Sequence, residues 1–353
     1  MIPLPSDAAR AAAAARQLEL TKPPGALGRL EDLSLTLAAI QDRALPRCER
    51  ALVLVAAADH GVCAQGVSAF PSAVTAQMCV NFCAGGAAIN VLARHAQAKV
   101  EVLDVGVAGD LPALPGLIAA KVARGTADFT TAPAMTLAQV RAAMAAGAAR
   151  ATVHAATCDA LVLGEMGIGN TTSAAALTAA FTGQAASAIC GRGTGIDDAG
   201  LARKIAAVSA GLARHRNCLG DPLMTLAALG GLEIAALAGA ALRAAELRLA
   251  IVVDGYISTA AVLAAAAIDP RLRPYLIFAH RGAEPGHQLA LAHLQAQPLL
   301  DLELRLGEGS GGVLALHLLR AACQTLAEMA TFSEAAVSGK LLAEAAHGSA
   351  CVA

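Results

Sequence analysis

Unbroken runs of apolar residues, each closed by a polar one, recur along this chain: ALVLVAAADH (51–60), AKVEVLDVG (98–106), DALVLGE (159–165), LRLAIVVDG (247–255) and RPYLIFAH (273–280). Val, Ile and Leu in sequence without polar alternation predict strands buried on both faces, and the Ala-rich stretches between them predict the covering helices. The fold class is therefore α/β, with a parallel sheet flanked by helices. In such a sheet the residues that close the runs (Asp59, His60, Asp104, Glu165, Asp254 and His280) collect at one edge, where open α/β folds bind ligands. Each alone could simply cap a helix or bond a loop; their clustering marks that edge for the site. Toward the chain ends, LGRLEDLSLTLAAIQ (27–41) sets Leu30, Leu33, Leu37 and Ile40 on one helical stripe, and GVLALHLLRAACQTLAEMATF (312–332) predicts a second long helix. These terminal segments are expected to pack together as a small helical domain, residues 1–45 with 300–353, beside a large α/β domain, residues 46–299.

Composition narrows the functional classes. The chain has 353 residues, of which 56% are hydrophobic and only 2% aromatic, so its core must be built from Ala, Leu, Val and Ile. A net charge of -1, with no basic run interleaved with aromatics, argues against nucleic-acid binding. Charged residues interrupt the long apolar stretches, with Glu233 and Arg243 dividing one and Asp254 and Asp269 bounding another, which predicts no membrane span. The N-terminus, with Asp7 and Arg10 and no apolar signal core, predicts a cytoplasmic enzyme. Nine scattered cysteines do not form a disulfide framework. Cys79 and Cys83 lie one helical turn apart without a second Cys or His pair at finger spacing, so they read as buried small hydrophobes, and no metal is expected.

Four stretches carry chemistry. GEMGIGNTTSAAALTAAF (164–181) follows a strand and opens a helix. Its Glu165, Gly167, Gly169, Asn170, Thr171 and Thr172 have the character of an anion cradle, since glycine lets a phosphate approach the positive helix end. The order of residues matches neither the dinucleotide-binding nor the P-loop fingerprint. CGRGTGIDDAGLARK (190–204) repeats the theme after the short apolar run ASAIC: Gly191 and Gly193 precede a helix whose Lys204 could meet a phosphate as a point charge. Asp197 and Asp198 come after the glycines, an order that fits a helix cap better than a magnesium-diphosphate site. In the third stretch, residues 59–93, Phe70, Pro71 and Met78 could wall a flat ring, although core packing explains them nearly as well. The fourth, LGEGSGG (306–312), spends three glycines and a serine around a single carboxylate, Glu308.

Taken in order, KPPGALGRLEDL (22–33), ADHGV (58–62), GEMGIGNTT (164–172), DGYIS (254–258), RPYLI (273–277) with AHRGAEPG (279–286), and RLGEGSGG (305–312) closely resemble the nicotinate-nucleotide:5,6-dimethylbenzimidazole phosphoribosyltransferases of cobalamin biosynthesis, from about residue 20 to about residue 335. The resemblance implies a six-stranded parallel Rossmann-like sheet, a small helical domain from both chain ends, a homodimer, and no cofactor. It also implies a reaction in which nicotinate mononucleotide and 5,6-dimethylbenzimidazole give α-ribazole 5′-phosphate and nicotinate, with inversion at the ribose C1′. It assigns Glu308 as general base, residues 165–172 as the phosphate loop, and Lys204 as a phosphate ligand.

That chemistry accounts for a lone acid. Nicotinate leaves from the pyridinium as a neutral ring and needs no general acid, while one proton must leave the benzimidazole. Phe70 and Met78 stand where some relatives carry Ser and Gln, so a more apolar base pocket is expected. The competing readings are a silent base- or nucleotide-binding protein and a nucleosidase on the same scaffold.

Overall fold

The computed structural model describes residues 1–193 and 195–338; the part of the expected small domain beyond residue 338 lies outside them. Six strands form one sheet: β1 Ala51–Ala58, β2 Lys99–Gly106, β3 Leu117–Ala119, β4 Ala160–Met166, β5 Ala250–Val253 and β6 Leu276–Phe278. All are parallel, in the order β3-β2-β1-β4-β5-β6. Thirteen helices are described: α1 Asp7–Glu19, α2 Arg29–Gln41, α3 Ala73–Ala84, α4 Ala88–His95, α5 Leu137–His154, α6 Asn170–Thr182, α7 Ala186–Ile189, α8 Asp198–His215, α9 Pro222–Leu229, α10 Leu232–Glu246, α11 Tyr256–Ile268, α12 Pro285–Leu294 and α13 Ser310–Glu328.

The unbroken apolar runs become strands because both faces are covered. Every residue of β1 is buried, as is every residue of β5. Small residues let the covering helices come close. A Cβ on Gly147 of α5 would lie 1.8 Å from the Ala236 carbonyl oxygen of α10, and one on Gly239 of α10 would lie 2.1 Å from the Met144 carbonyl oxygen of α5. These helices therefore meet backbone to backbone, which a core poor in aromatics requires.

The order in which strands are added reverses between β1 and β4, the topological switch point at which open α/β sheets bind ligands beyond the strand C-termini. Helix α13 runs from that edge across the sheet: Val313, Leu316 and Leu319 join the main core, while Leu326 packs with Ala13, Leu20 and Ala38 of the N-terminal segment. Leu33, Leu37 and Ile40 are buried as the helical stripe predicts, with Leu30 half-buried. The expected second long helix starts at Ser310 and stops at Glu328, short of residue 332. The run ASAIC is one helical turn, α7, so the glycines after it do not follow a strand.

The segment 73–95 is long and apolar enough in composition to span a bilayer, and 33% of its most apolar 18-residue window is buried. Gly85, at φ 82, ends α3 and splits the segment into two helices of 12 and 8 residues.

Candidate active site

A cavity of about 230 Å³ opens at the C-terminal ends of β4, β5 and β6. Glu165 and Gly167 at the end of β4, Asn170 and Thr171 in the first turn of α6, Gly193, and Glu308 before α13 all line it. Phe70 and Met78 form part of its apolar wall, but Pro71, one residue from Phe70, does not. Gly169, Thr172, Gly191 and Lys204 lie behind the lining. Gly169 takes φ 94 to turn the chain into α6, and the Thr172 side chain is buried within that helix.

Lys204 is 1% exposed, and its Nζ donates to Thr171 Oγ1 at 3.0 Å and to the Gly191 carbonyl at 3.1 Å. Burial lowers its pKa, while the charge of Glu284 opposes that shift. This lysine thus ties the two glycine loops together rather than standing in solvent. Asp197 caps α8 by accepting the Gly200 N–H at 2.7 Å, and Asp198 pairs with Arg192 on the surface.

The backbone around Glu308 explains its glycines. Gly307, Glu308 and Gly309 have φ of 87, 64 and 95 in succession. Only glycine accepts that conformation freely, so the strain of this turn, about 1 kcal/mol or more, falls on the glutamate alone. The turn presents the carboxylate at the cavity, with Oε2 accepting the Ile89 N–H at 3.1 Å from the N-terminal turn of α4. Asp254 fixes the loop from below: it accepts the Gly309 N–H at 3.2 Å and the Gly312 N–H at 2.8 Å. Burial raises the Glu308 pKa; the Ile89 bond works against this and the Asp254 charge adds to it.

Glu165 lies beside the Glu308 loop, next to Gly307, its carboxylate bonded by the Asn170 side-chain amide. Burial pushes its pKa up to about 8 against that hydrogen bond, helped by the charges of Asp254, Glu233 and Glu308. A carboxyl group raised in this way holds its proton to higher pH than a solvated one and, when protonated, can donate a hydrogen bond.

Of the residues that close the strands, Glu165 and His280 line the cavity and Asp254 supports the Glu308 loop. Asp59 and Asp104 serve loops instead, accepting the Ala108 and Val107 N–H groups at 2.8 and 2.9 Å. His60 sits beneath the cradle, bonded to Ser173 Oγ at 3.0 Å and to Glu233 Oε1 at 2.6 Å. Tyr256, Glu284 and Arg305 also line the cavity and were not singled out from the sequence.

A family model described as phosphoribosyltransferase matches residues 2–337. The nicotinate-nucleotide-dimethylbenzimidazole phosphoribosyltransferase of Roseiflexus sp. (strain RS-1) is 54% identical over 336 residues, covering 95% of each chain. The chain belongs to this phosphoribosyltransferase family. The protein of the same name from Pseudomonas aeruginosa (strain LESB58) is 53% identical over 334 residues, covering 94% of this chain and 95% of that one. A solved structure of the Thermus thermophilus protein of that name superposes with a TM-score of 0.90 at 49% identity, over 95% of this chain and 100% of the other. Membership makes the chain a transferase of pentosyl groups, and the shared fold is the six-stranded parallel sheet described above.

Proposed function

We propose that the protein transfers the phosphoribosyl group of nicotinate mononucleotide to 5,6-dimethylbenzimidazole or a related base, releasing nicotinate and forming α-ribazole 5′-phosphate for the nucleotide loop of cobalamin. The observation that carries this reading is one cavity that holds a loop-borne carboxylate, Glu308, opposite a glycine cradle backed by a buried lysine. The cradle and Lys204 grip the phosphate, and protonated Glu165 donates to a ribose hydroxyl. Glu308 takes the benzimidazole proton as the other ring nitrogen attacks C1′. Its raised pKa makes it a stronger base than a solvated carboxylate. The apolar wall around Phe70 and Met78 holds the flat ring and excludes water that would hydrolyse the glycoside.

Incubation with nicotinate mononucleotide, with and without dimethylbenzimidazole, separates this reading from its rivals. Base-dependent nicotinate release supports transfer. Base-independent release supports a nucleosidase, and no release supports binding alone.

Lys204→Ala removes the buried cation of the cradle. Nucleotide affinity should fall about tenfold to a hundredfold, the scale of one charge-assisted hydrogen bond. Calorimetric titration measures this, and an unchanged Kd removes Lys204 from phosphate binding.

The small helical domain comprises α1, α2 and the C-terminal part of α13. Helices α3 and α4, apolar yet one-third buried, with Val80 39% and Val91 53% exposed, form a face covered by a second copy of the chain. Sedimentation should give the mass of a dimer, and Val91→Asp should shift it toward the monomer.

A further inference from the structure

The proposed phosphate cradle already contains a carboxylate. Glu284 immediately precedes α12, and its Oε1 accepts the Gly193 backbone N–H at 2.8 Å. Its Oε2 is shut off from solvent and finds no hydrogen-bond partner among the described residues. A Cβ on Gly193 would lie 3.2 Å from Thr171 Oγ1 and 3.6 Å from Lys204 Nζ, while one on Gly191 would lie 2.1 Å from Glu284 Oε2. An amide N–H, a hydroxyl, an ammonium and a carboxylate therefore converge on one spot, and three of the four residues line the cavity.

A phosphate placed here competes with Glu284 for the Gly193 N–H. Two negative groups would then share one ammonium in a buried space, which is unfavourable unless one of them is neutralised. The Glu284 main chain cannot easily withdraw. Pro285 starts α12, and the preceding loop is tied down by the Gly282 N–H bond to His287 Nδ1 at 2.9 Å. Protonation resolves the conflict in place, because a carboxylic acid can donate to a phosphate oxygen.

We propose that Glu284 is a placeholder for the substrate phosphate: it yields the Gly193 N–H to the incoming phosphate, takes one proton from solvent, and donates that proton as a hydrogen bond to a phosphate oxygen. The proposal rests on the phosphate reading of the cradle and deepens it. The balance is simple. Glu284 carboxylate, phosphate dianion and one solvent proton become protonated Glu284 beside bound dianion, and no covalent bond other than O–H is made.

The groups facing Glu284 are Lys204 from α8, Cys190 after α7 and Tyr256 from α11. Across the cavity stand Glu165, His280, Arg305 and Glu308, and His287 lies on Glu284's own helix. Burial pushes the Cys190 thiol up to about 11 and the Tyr256 hydroxyl above its ordinary value, and holds His287 down to about 3. Those three keep one protonation state between about pH 7 and pH 9. Lys204 and Glu165 do not share that immunity, so a Glu284 variant is needed to assign the proton.

The test is calorimetric titration of nicotinate mononucleotide at about pH 8 in buffers of different ionisation enthalpy. There the free phosphate, with a second pKa of about 6, is already dianionic. The wild-type protein should take up close to one proton per nucleotide, and its Kd should rise toward tenfold per pH unit above pH 8. Glu284→Gln keeps an acceptor for Gly193 and should take up about one proton fewer than the wild type, with a correspondingly flatter Kd.

The difference between the two counts is decisive, since zero uptake by both proteins overturns the proposal. Undiminished uptake by Glu284→Gln overturns it too, by placing the proton on another group. Nicotinate riboside, which lacks the phosphate, should bind more weakly and without proton uptake. If it binds as tightly as the nucleotide, the phosphate reading itself fails and takes the proposal with it.

Discussion

Glu308→Gln should bind nicotinate mononucleotide within a fewfold of the wild type and turn over roughly two to four orders of magnitude more slowly, the range for a positioned general base. The amide is isosteric and still offers an oxygen to the Ile89 N–H, so the loop keeps its anchor on α4. The bonds from Gly309 and Gly312 to Asp254 involve only backbone donors and are untouched by the change. On the proposed mechanism, what the substitution removes is the capacity to accept the benzimidazole proton. Steady-state kinetics with both substrates varied will separate a fall in kcat from a rise in KM. Near-normal turnover by this variant would show that the acceptor loses its proton directly to water and would leave Glu308 as a support for the loop.

How far the sequence reveals this site depends on whether a residue's role is local. Glu308 and the glycines at 164–172 are recognisable because turn, helix start and functional side chain lie within a few positions of one another. Glu284 shows no such signature. In the chain it is the residue before a proline that starts a helix, and only the fold brings it to the Gly193 N–H, 91 residues away in sequence. Tyr256 reaches the cavity in the same non-local way, whereas Arg305 lies only three residues before Glu308. Asp59 and Asp104 err in the other direction: their place at strand ends suggested the site, but each is spent on a nearby loop amide.

The strands divide along similar lines. Burial on both faces leaves a continuous apolar run that is legible without alignment, so β1, β2, β5 and β6 fall within the predicted segments and β4 overruns its segment by one residue, Met166. The edge strand β3 spans three residues, none of them buried, and carries no period to detect. Two boundaries moved for backbone reasons. Arg248 takes φ 57 before β5, and Pro270 and Pro274 hold residues 270–275 in a 3-10 turn before β6, so each strand begins later than its apolar run.

A second large effect is expected from Gly164→Ala, at the closest backbone approach to the Glu308 loop. Gly164 lies inside β4, opposite Val55 of β1, and a Cβ there would sit 2.5 Å from the Glu308 carbonyl oxygen, 3.0 Å from its carbonyl carbon and 3.2 Å from the Gly309 nitrogen. All three are main-chain atoms, so no side-chain rotation relieves the overlap. β4 is held by ladders on both sides, which leaves the loop at 307–309 to move. That displaces the Glu308 carboxylate by a sizeable fraction of an ångström, and misplacement on this scale can lower turnover by about a hundredfold. Overpacking should also reduce stability by about 1–3 kcal/mol. Gly183→Ala serves as the control. Gly183 ends α6 at φ 71 with nothing within 4 Å of a Cβ, so this change adds backbone strain far from the cavity. It should lower the thermal midpoint with kcat unchanged, whereas Gly164→Ala should lower both. If the two variants lose stability alike and both keep full turnover, contact between β4 and the loop does not set the position of the base.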